Sequence, residues 1–347
     1  DGSFNITKHP GTGGLVSKGT VTAQLLYEIS SPAYVNPDVV SHFDTLKIEE
    51  LEKDKVHVSG CRGSSPPKDH KVCINLAGGF RNGMEIILTG LDIEEKAKVF
   101  TEVLFNSVGG QEQFDEVFIE LQRTDKENPT TNEQAMASLV ISVKSSNQEL
   151  VGRLFSAKII ELALANIPGF FAESGPKSSG PVIIYWPALV DSKYITEKVH
   201  IDGKEIEVVP TSQLDYEEIY YQREPISIDD IEISDQKEIY FGDLFGTRSG
   251  DKGGCANLGV WAKNNLSYSF LYNFLTIEKL KELLPDLSEY KIERFELPNI
   301  NSLNFYIHDI LEDGVSSNNR KDGQAKSLGE YLRVKKILVP DSILLET

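Results

Sequence analysis

One short stretch of the sequence combines three glycines with one carboxylate and two cations. Glycines at this density let the backbone adopt positive φ and bring its amides close to an anion. A guanidinium and an ammonium group would supply the counter-charge, and the carboxylate could move a proton. We interpret the stretch as a binding loop, and the alternative is a tight β-hairpin loop whose polar residues satisfy one another. The residues are Arg248, Ser249, Gly250, Asp251, Lys252, Gly253 and Gly254.

A second glycine-rich segment precedes a helix predicted to start near Thr20. Free amides at a helix start and the helix dipole together favour an anion. His9 has the side chain of a general acid or base, whereas the alternative makes it a turn residue held by Pro10. The predicted binding residues here are Lys8, Gly11, Thr12, Gly13 and Gly14.

A third segment, residues 314–323, places hydroxyls and a guanidinium ahead of the last predicted helix. Ser316, Ser317 and Arg320 would suit a carboxylate-bearing ligand. In the alternative, Asp322 or Ser327 caps the helix and Arg320 is solvated. Asn257, three residues beyond the first loop, is predicted to orient a ligand carbonyl or carboxamide.

The order of predicted elements indicates an α+β fold with two ferredoxin-like βαββαβ sandwich units. The first unit covers about residues 84–187. The second begins near residue 237, with strands at 239–245, 256–262, 291–297 and 302–308, helices at 277–284 and 325–332, and a strand at 336–339 that closes the sheet.

Composition excludes several classes of function. With 35 basic and 53 acidic side chains the formal charge is −18, which disfavours contact with nucleic acid or an anionic membrane. No apolar run is long enough to cross a bilayer. The three cysteines, Cys61, Cys73 and Cys255, are an odd number without metal-ligand spacing, so we expect a cytoplasmic protein with no metal. Nicotinamide and flavin fingerprints are missing from the sequence, and we expect no cofactor.

Several motifs resemble the acyclic terpene utilisation protein A family, and the resemblance spans nearly the whole chain. The matching residues include Gly11-Thr12-Gly13-Gly14, Leu25-Leu26-Tyr27-Glu28, Pro37-Asp38, Pro66-Pro67, Ser249-Gly250-Asp251-Lys252-Gly253-Gly254 and Leu328-Gly329-Glu330-Tyr331-Leu332.

The resemblance implies a family domain in residues 1–235 and an appended ferredoxin-fold domain in residues 236–347. Family members carry an α/β segment upstream of the first motif, so we expect that the chain, which begins at Asp1, was cut from a larger protein. The family is associated with breakdown of citronellol- and geraniol-type compounds through acyl-CoA intermediates.

Two functions follow from these observations. The first is a cytosolic catabolic enzyme that acts on an anionic or CoA-linked branched acid, with His9 or Asp251 moving a proton. Lyase, hydratase or isomerase chemistry suits these residues better than redox chemistry. The alternative is a non-catalytic ligand-binding or assembly module of a larger complex, and ferredoxin-like sheets that pair would make it a homo-oligomer. In both, the partner is a small anionic molecule or an acyl-CoA.

Overall fold

The computed structural model describes residues 2–165, 167–208 and 235–345. The chain divides into two compact units, one formed by the described parts of residues 1–74 and 185–347, the other by those of 75–184. Among the helices of the described residues, none combines the length and the apolar character that a membrane span requires. The predicted boundary between residues 235 and 236 stays a prediction, and the proposed linker that precedes it lies mostly outside the described residues.

The strands are β1 (Phe4–Thr7), β2 (Ala33–Val35), β3 (Val40–His42), β4 (Lys47–Glu52), β5 (Lys55–Ser59), β6 (Arg62–Ser64), β7 (Asp69–Thr89), β8 (Glu116–Gln122), β9 (Met136–Ser145), β10 (Phe170–Ala172), β11 (Gly180–Asp191), β12 (Glu197–Ile201), β13 (Lys204–Val208), β14 (Gln236–Tyr240), β15 (Gly246–Lys252), β16 (Cys255–Trp261), β17 (Ile292–Leu297), β18 (Ser302–Ile307) and β19 (Lys336–Pro340). The helices are α1 (Lys18–Glu28), α2 (Ile93–Ser107), α3 (Arg153–Glu161), α4 (Phe241–Leu244), α5 (Asn265–Phe274), α6 (Ile277–Leu283), α7 (Leu328–Arg333) and α8 (Asp341–Leu344).

The unit of residues 75–184 contains a sheet in the order β10-β7-β9-β8, with antiparallel neighbours. Side chains of β9 alternate between buried and half-buried because successive residues of a strand point to opposite faces. The buried set, which includes Leu139 and Ile141, packs against Phe100 of α2 and Phe155 of α3. One hydrophobic face of the sheet therefore holds both helices.

The carboxyl-terminal sheet of the other unit has the order β15-β16-β18-β17. Alternate residues of β16 and β18, such as Leu258 and Phe305, share one core with Leu271 of α5, Leu280 of α6 and Leu332 of α7. The prediction that residues 336–339 close this sheet is wrong, because β19 pairs with β14 in a separate two-stranded sheet. Strand β15 occupies the edge position beside β16 instead.

Helix α1 packs against two sheets. Val21 and Leu26 of α1, together with Ile29 just after the helix, form a core with Val56 and Val58 of β5. Leu26 also lies against Gly259 of β16, where an added Cβ would be 2.6 Å from the Leu26 Cβ. A Ser17–Thr20 capping box starts the helix, which satisfies amides that the first turn leaves unpaired. Helix α1 is the element that positions the candidate site.

Candidate functional site

The glycine-rich segment predicted as a binding loop is mostly a strand. Residues 246–252 form β15, paired residue by residue with β16, and only Gly253 and Gly254 form the turn between them. Gly253 has φ of +69°, and an added Cβ on Gly254 would collide with the Glu312 carbonyl. The Leu311 amide donates to the Gly254 carbonyl at 2.8 Å. Gly253 and Gly254 therefore form a tightly packed hairpin turn. The backbone of this segment agrees with the hairpin alternative and not with an anion-binding loop.

Strand geometry places the two cations of this segment on one face. Because alternate residues of a strand share one face, Arg248, Gly250 and Lys252 all face α1. The Ser249 hydroxyl lies on the opposite face, where it accepts a hydrogen bond from the Gly329 amide of α7 at 3.0 Å. Ser249 is buried and bonds α7, and the ligand contact that the sequence predicts for it stays a prediction. Gly250 is required because a Cβ there would overlap the Tyr27 ring.

Three cations surround the Tyr27 ring, and we call Tyr27, Arg248, Asp251, Lys252 and Lys326 the cation cluster. The Arg248 Cζ and the Lys252 Nζ each lie 4.8 Å from the ring centroid, and the Lys326 Nζ lies 4.3 Å from it. All three distances are within the range of cation–π attraction. The Lys326 amine also donates a hydrogen bond to the Tyr27 hydroxyl. Three positively charged side chains therefore lie close together around the Tyr27 ring, although the chain as a whole is strongly acidic.

Two carboxylates balance part of this charge. The Asp251 carboxylate lies 3.7 Å from the Lys326 Nζ, and Glu28 acts on Lys252. Burial lowers the pKa of the Lys252 amine, and the negative charges of Asp251 and Glu28 oppose that shift without cancelling it. Three cations and two carboxylates leave one net positive charge. This excess of positive charge favours an anionic group at the cluster.

The cluster also closes the carboxyl-terminal end of α1, where backbone carbonyls lack helical partners. The Lys252 amine donates to the Tyr27 carbonyl at 2.5 Å, and the Asn257 amide donates to the Leu26 carbonyl at 2.5 Å. The Asn304 amide donates to the Ser30 carbonyl at 2.9 Å. Asn257 is fully buried, and its Oδ1 atom has no hydrogen-bond partner among the described residues. The contact with a ligand that the sequence predicts for Asn257 stays a prediction.

The segment around His9 lies at the other end of α1. Because the eleven residues of α1 rise roughly 1.5 Å each, about 15 Å of helix separates the two ends. The Lys8 amine donates to the Thr12 carbonyl at 2.7 Å and lies 3.7 Å from Asp54. In the described part of the chain, the hydrogen bonds and ion pairs of residues 8–14 stay in the segment or reach Asp54. The structure does not bring His9, Gly11, Thr12, Gly13 and Gly14 to the cation cluster.

The predicted anion seat at the start of α1 is occupied by the protein's own carboxylates. Glu50 accepts the Lys18 amide at 3.1 Å, and Asp54 accepts the Val16 amide at 3.0 Å. These acids come from the neighbouring strand pair, which the helix-start pattern alone could not reveal. His9 and the glycines beside it remain exposed.

The third segment is organised around its own side chains. Asn318 is buried and donates to the Gly314 carbonyl at 2.9 Å and to the Gly323 carbonyl at 3.1 Å. Ser317 is buried and donates to the same Gly314 carbonyl. Ser316 is exposed. The Arg320 guanidinium is not simply solvated, since it lies 3.6 Å from Asp286.

Asp322 holds the backbone just before α7, although the helix itself has no side-chain cap at Ser327. Its carboxylate accepts the Lys326 and Ser327 amides, each at 2.8 Å, and the Ser327 hydroxyl at 2.6 Å. Partial burial acts to raise the pKa of Asp322, but these hydrogen bonds and the charge of Arg320 outweigh it and lower the pKa. These bonds fix the backbone at Lys326, whose amine reaches the Tyr27 hydroxyl.

Comparison with family models gives two matches. Residues 1–201, more than half of the chain, match the acyclic terpene utilisation family protein AtuA. The chain belongs to the AtuA family. Residues 240–338 match the AtuA ferredoxin-like domain. Neither the comparison with curated proteins nor that with solved structures gives a match.

The two AtuA regions meet at the cation cluster. Tyr27 belongs to the first matched region, whereas Arg248, Asp251, Lys252 and Lys326 belong to the second. Sequence reasoning missed Tyr27 and Lys326 as site residues, since they are 299 positions apart. One pattern in the sequence could have indicated the site. Gly250 lies between two cations, Arg248 and Lys252, each two residues away, and a glycine at such a position of a strand leaves space for an aromatic ring.

A second polar group that sequence reasoning missed lies on the same sheet. Cys255 pairs with Lys252 across the hairpin, and its thiol hydrogen-bonds with the Tyr306 phenol. Burial and this hydrogen bond raise the pKa of Tyr306.

The His308 Nε2 atom lies 2.5 Å from the Glu293 carboxylate, and this contact lowers the pKa of Glu293. His308 is half-buried and directly follows β18.

Proposed function

We propose that this AtuA-family chain is a cytoplasmic catabolic protein that binds an anionic or CoA-linked branched acid at the cation cluster. The observation that carries the proposal is the convergence of Arg248, Lys252 and Lys326 on Tyr27 in a chain of formal charge −18. A local excess of positive charge raises the concentration of anions at that surface. We also infer that the 75–184 unit is a second ferredoxin-like sandwich, since its strand order fits a split βαβ arrangement.

The chemistry that fits this cluster is proton movement next to a bound anion. Arg248 is exposed and can pair with a carboxylate or phosphate through two parallel hydrogen bonds. Asp251 lies beside Lys326 and would accept or return a proton, as in hydration, dehydration or isomerisation. His9 is left out of this assignment because α1 separates it from the cluster.

Binding and turnover by variants test the proposal. Calorimetry would compare branched carboxylic acids and their CoA thioesters on wild type, Arg248→Gln and Lys326→Gln. We expect each variant to weaken binding about tenfold, equal to about 1.4 kcal/mol. Lys336→Gln is the matched control, since Lys336 is an exposed lysine paired with Glu238 at 2.8 Å. Equal affinities in all four proteins would contradict the proposal.

Mass spectrometry of the same incubations separates catalysis from binding. Hydration or dehydration changes the substrate mass by one water, and isomerisation changes only its retention time. Asp251→Asn should bind normally and lose turnover. A product formed equally by wild type and Asp251→Asn would reject the role of Asp251.

A non-catalytic assembly module is the second candidate, and one observation favours it. The β12–β13 hairpin carries four exposed apolar side chains, with Val199 opposite Ile206. The others are Ile201 and Val208. Exposed apolar faces mark association surfaces. Light scattering of wild type and of Ile201→Ser/Ile206→Ser would show whether this face joins copies of the chain, and an unchanged mass would reject that role.

A further inference from the structure

Four titratable side chains lie on the same face of the carboxyl-terminal sheet as the cation cluster. Cys255 follows the hairpin turn and pairs with Lys252 across it. Tyr306 of β18 and His308 just after it alternate along one face, and Glu293 of β17 pairs with Tyr306. All four are half-buried, so they are neither sealed in the core nor fully exposed. None of the four belongs to the cation cluster.

The Cys255 thiol is held by a hydrogen-bond donor. Burial and the hydrogen bond with Cys255 raise the pKa of the Tyr306 phenol. The phenol therefore keeps its proton at neutral pH and donates a hydrogen bond to the Cys255 sulfur. A carbonyl group attacked by this sulfur would develop negative charge on its oxygen within reach of the same phenol. Tyr306 therefore has the position of an oxyanion donor.

A base lies next to the phenol. The centroids of the Tyr306 and His308 rings are 4.9 Å apart, and the register between β16 and β18 brings Cys255 opposite His308 just beyond the last pair of the ladder. The His308 Nε2 atom bonds the Glu293 carboxylate at 2.5 Å, and this hydrogen bond lowers the pKa of Glu293. The ionised carboxylate accepts the Nε2 proton, which leaves Nδ1 as the nitrogen that can take a proton from a thiol. A nucleophile, a base and an orienting carboxylate thus lie together.

We propose that Cys255 takes the acyl group from a CoA thioester of a dicarboxylic acid whose second carboxylate is bound at the cation cluster. This substrate class rests on the proposed function, since the anion of the substrate lies at the same cluster. Cys255 is directly opposite Lys252, and the Cβ atoms of such a pair are about 5 Å apart. The pantetheine arm of CoA separates its phosphates from its sulfur by far more than this span. The anion at the cluster is therefore the acid's own carboxylate and not a CoA phosphate.

The reaction is a thioester exchange in which atoms and electrons balance. The Cys255 proton passes to the His308 Nδ1 atom, and the Cys255 sulfur forms a bond to the carbonyl carbon. Tyr306 donates to the oxyanion of the tetrahedral intermediate. The bond from that carbon to the CoA sulfur breaks, and His308 returns the proton to the CoA thiolate. The products are free CoA and an acyl group on Cys255, and no oxidant or reductant is consumed.

Mass spectrometry of the intact chain with adipoyl-CoA and hexanoyl-CoA tests the proposal. A Cys61→Ser/Cys73→Ser background leaves Cys255 as the sole thiol of the chain. We expect adipoyl-CoA to add one acyl group to this thiol, located by peptide mapping, at least about tenfold faster than hexanoyl-CoA, which lacks the second carboxylate. Cys255→Ala in the same background should give no thioester adduct. Arg248→Gln should remove the preference for adipoyl-CoA.

Two variants separate catalytic roles from structural ones. Tyr306→Phe should slow acylation by adipoyl-CoA about a hundredfold, the effect of losing one oxyanion donor, and should change alkylation by iodoacetamide less than about threefold. Alkylation forms no oxyanion, so equal slowing of both reactions would overturn the role of the phenol. His308→Gln should slow acylation about a hundredfold as well. The control Lys336→Gln should react like the background.

Calorimetry distinguishes a failure of this proposal from a failure of the proposed function. It is performed in the Cys255→Ala background, in which no acyl group can be transferred to the thiol. Adipoyl-CoA that binds there, binds more weakly after Arg248→Gln, and yet leaves no adduct on Cys255 of the reactive chain would overturn this proposal and keep the proposed function. Acylation of Cys255 that proceeds equally in Arg248→Gln would overturn the proposal, because the carboxylate would then not lie at the cluster. An adduct on Cys255 that depends on Arg248 would support both.

Discussion

Gly259→Ala should loosen α1 from the sheet that holds the cation cluster. The new Cβ would lie 2.6 Å from the Leu26 Cβ and 3.0 Å from the Leu26 Cδ1, whereas carbon atoms pack at about 3.5–4.0 Å. The Leu26 Cβ cannot rotate away because it is attached to the helix backbone. Helix α1 must therefore move by about 1 Å.

The expected cost follows from this overlap. Inserting a methyl group into a packed interior costs about 1–3 kcal/mol. Alanine regains about 0.5–1 kcal/mol over glycine in a strand, because the unfolded chain loses less entropy. The midpoints of these ranges leave a net loss of about 1 kcal/mol in the free energy of unfolding, and more if the shift also lengthens the bonds from Lys252 and Asn257 to α1.

Urea unfolding followed by fluorescence measures this loss. Of the two tryptophans, Trp261 packs near α1 and Trp186 is 57% exposed, so a Trp186→Phe background makes Trp261 the sole reporter. Gly13→Ala is the control, since a Cβ there meets open space within the same unit. Hydrogen exchange of the α1 amides should accelerate only in Gly259→Ala. Equal urea midpoints for the two variants, with unchanged α1 exchange, would refute the packing argument.

Three further predictions use the same unfolding assay. Asn257→Ala leaves the buried Leu26 carbonyl unpaired and should cost about 1–3 kcal/mol, whereas a change within error would show that another group caps it. Asp322→Ala removes the acceptor of the Lys326 and Ser327 amides and should cost about 0.5–1.5 kcal/mol at pH 7. Because folding lowers the pKa of Asp322 from 3.8, this difference should vanish as the pH falls below 3.8 through the folded pKa, and a constant difference would contradict the shift. Folding lowers the pKa of Lys252 from 10.5, so the unfolded chain binds more protons between the two values, and wild type should gain stability relative to Lys252→Met as the pH rises towards 10.5. A flat difference would contradict this prediction.

The candidate site was partly predictable from sequence. Arg248, Asp251 and Lys252 were selected for their charges, and the structure places all three in one cluster. Their backbone was predicted as a loop because glycine density is typical of turns. The spacing of Arg248, Gly250 and Lys252 fits one face of a strand. The sequence did not show that the Tyr27 ring occupies the space above Gly250 and brings the two cations together.

The amino-acid sequence by itself determined the negative charge of the chain, the family, the start of α1 and four of the strands predicted after residue 237, which are β16, β17, β18 and β19. These properties depend on composition or on residues a few positions apart, as in the Ser17–Thr20 capping box. Only the tertiary structure decided which groups meet. Tyr27 joins Lys326 across 299 positions, Glu50 and Asp54 accept the amides at the start of α1, and β19 pairs with β14 instead of closing the carboxyl-terminal sheet. Contacts of this kind arise when distant segments bury their apolar faces together, and no local pattern encodes which segment will be the partner.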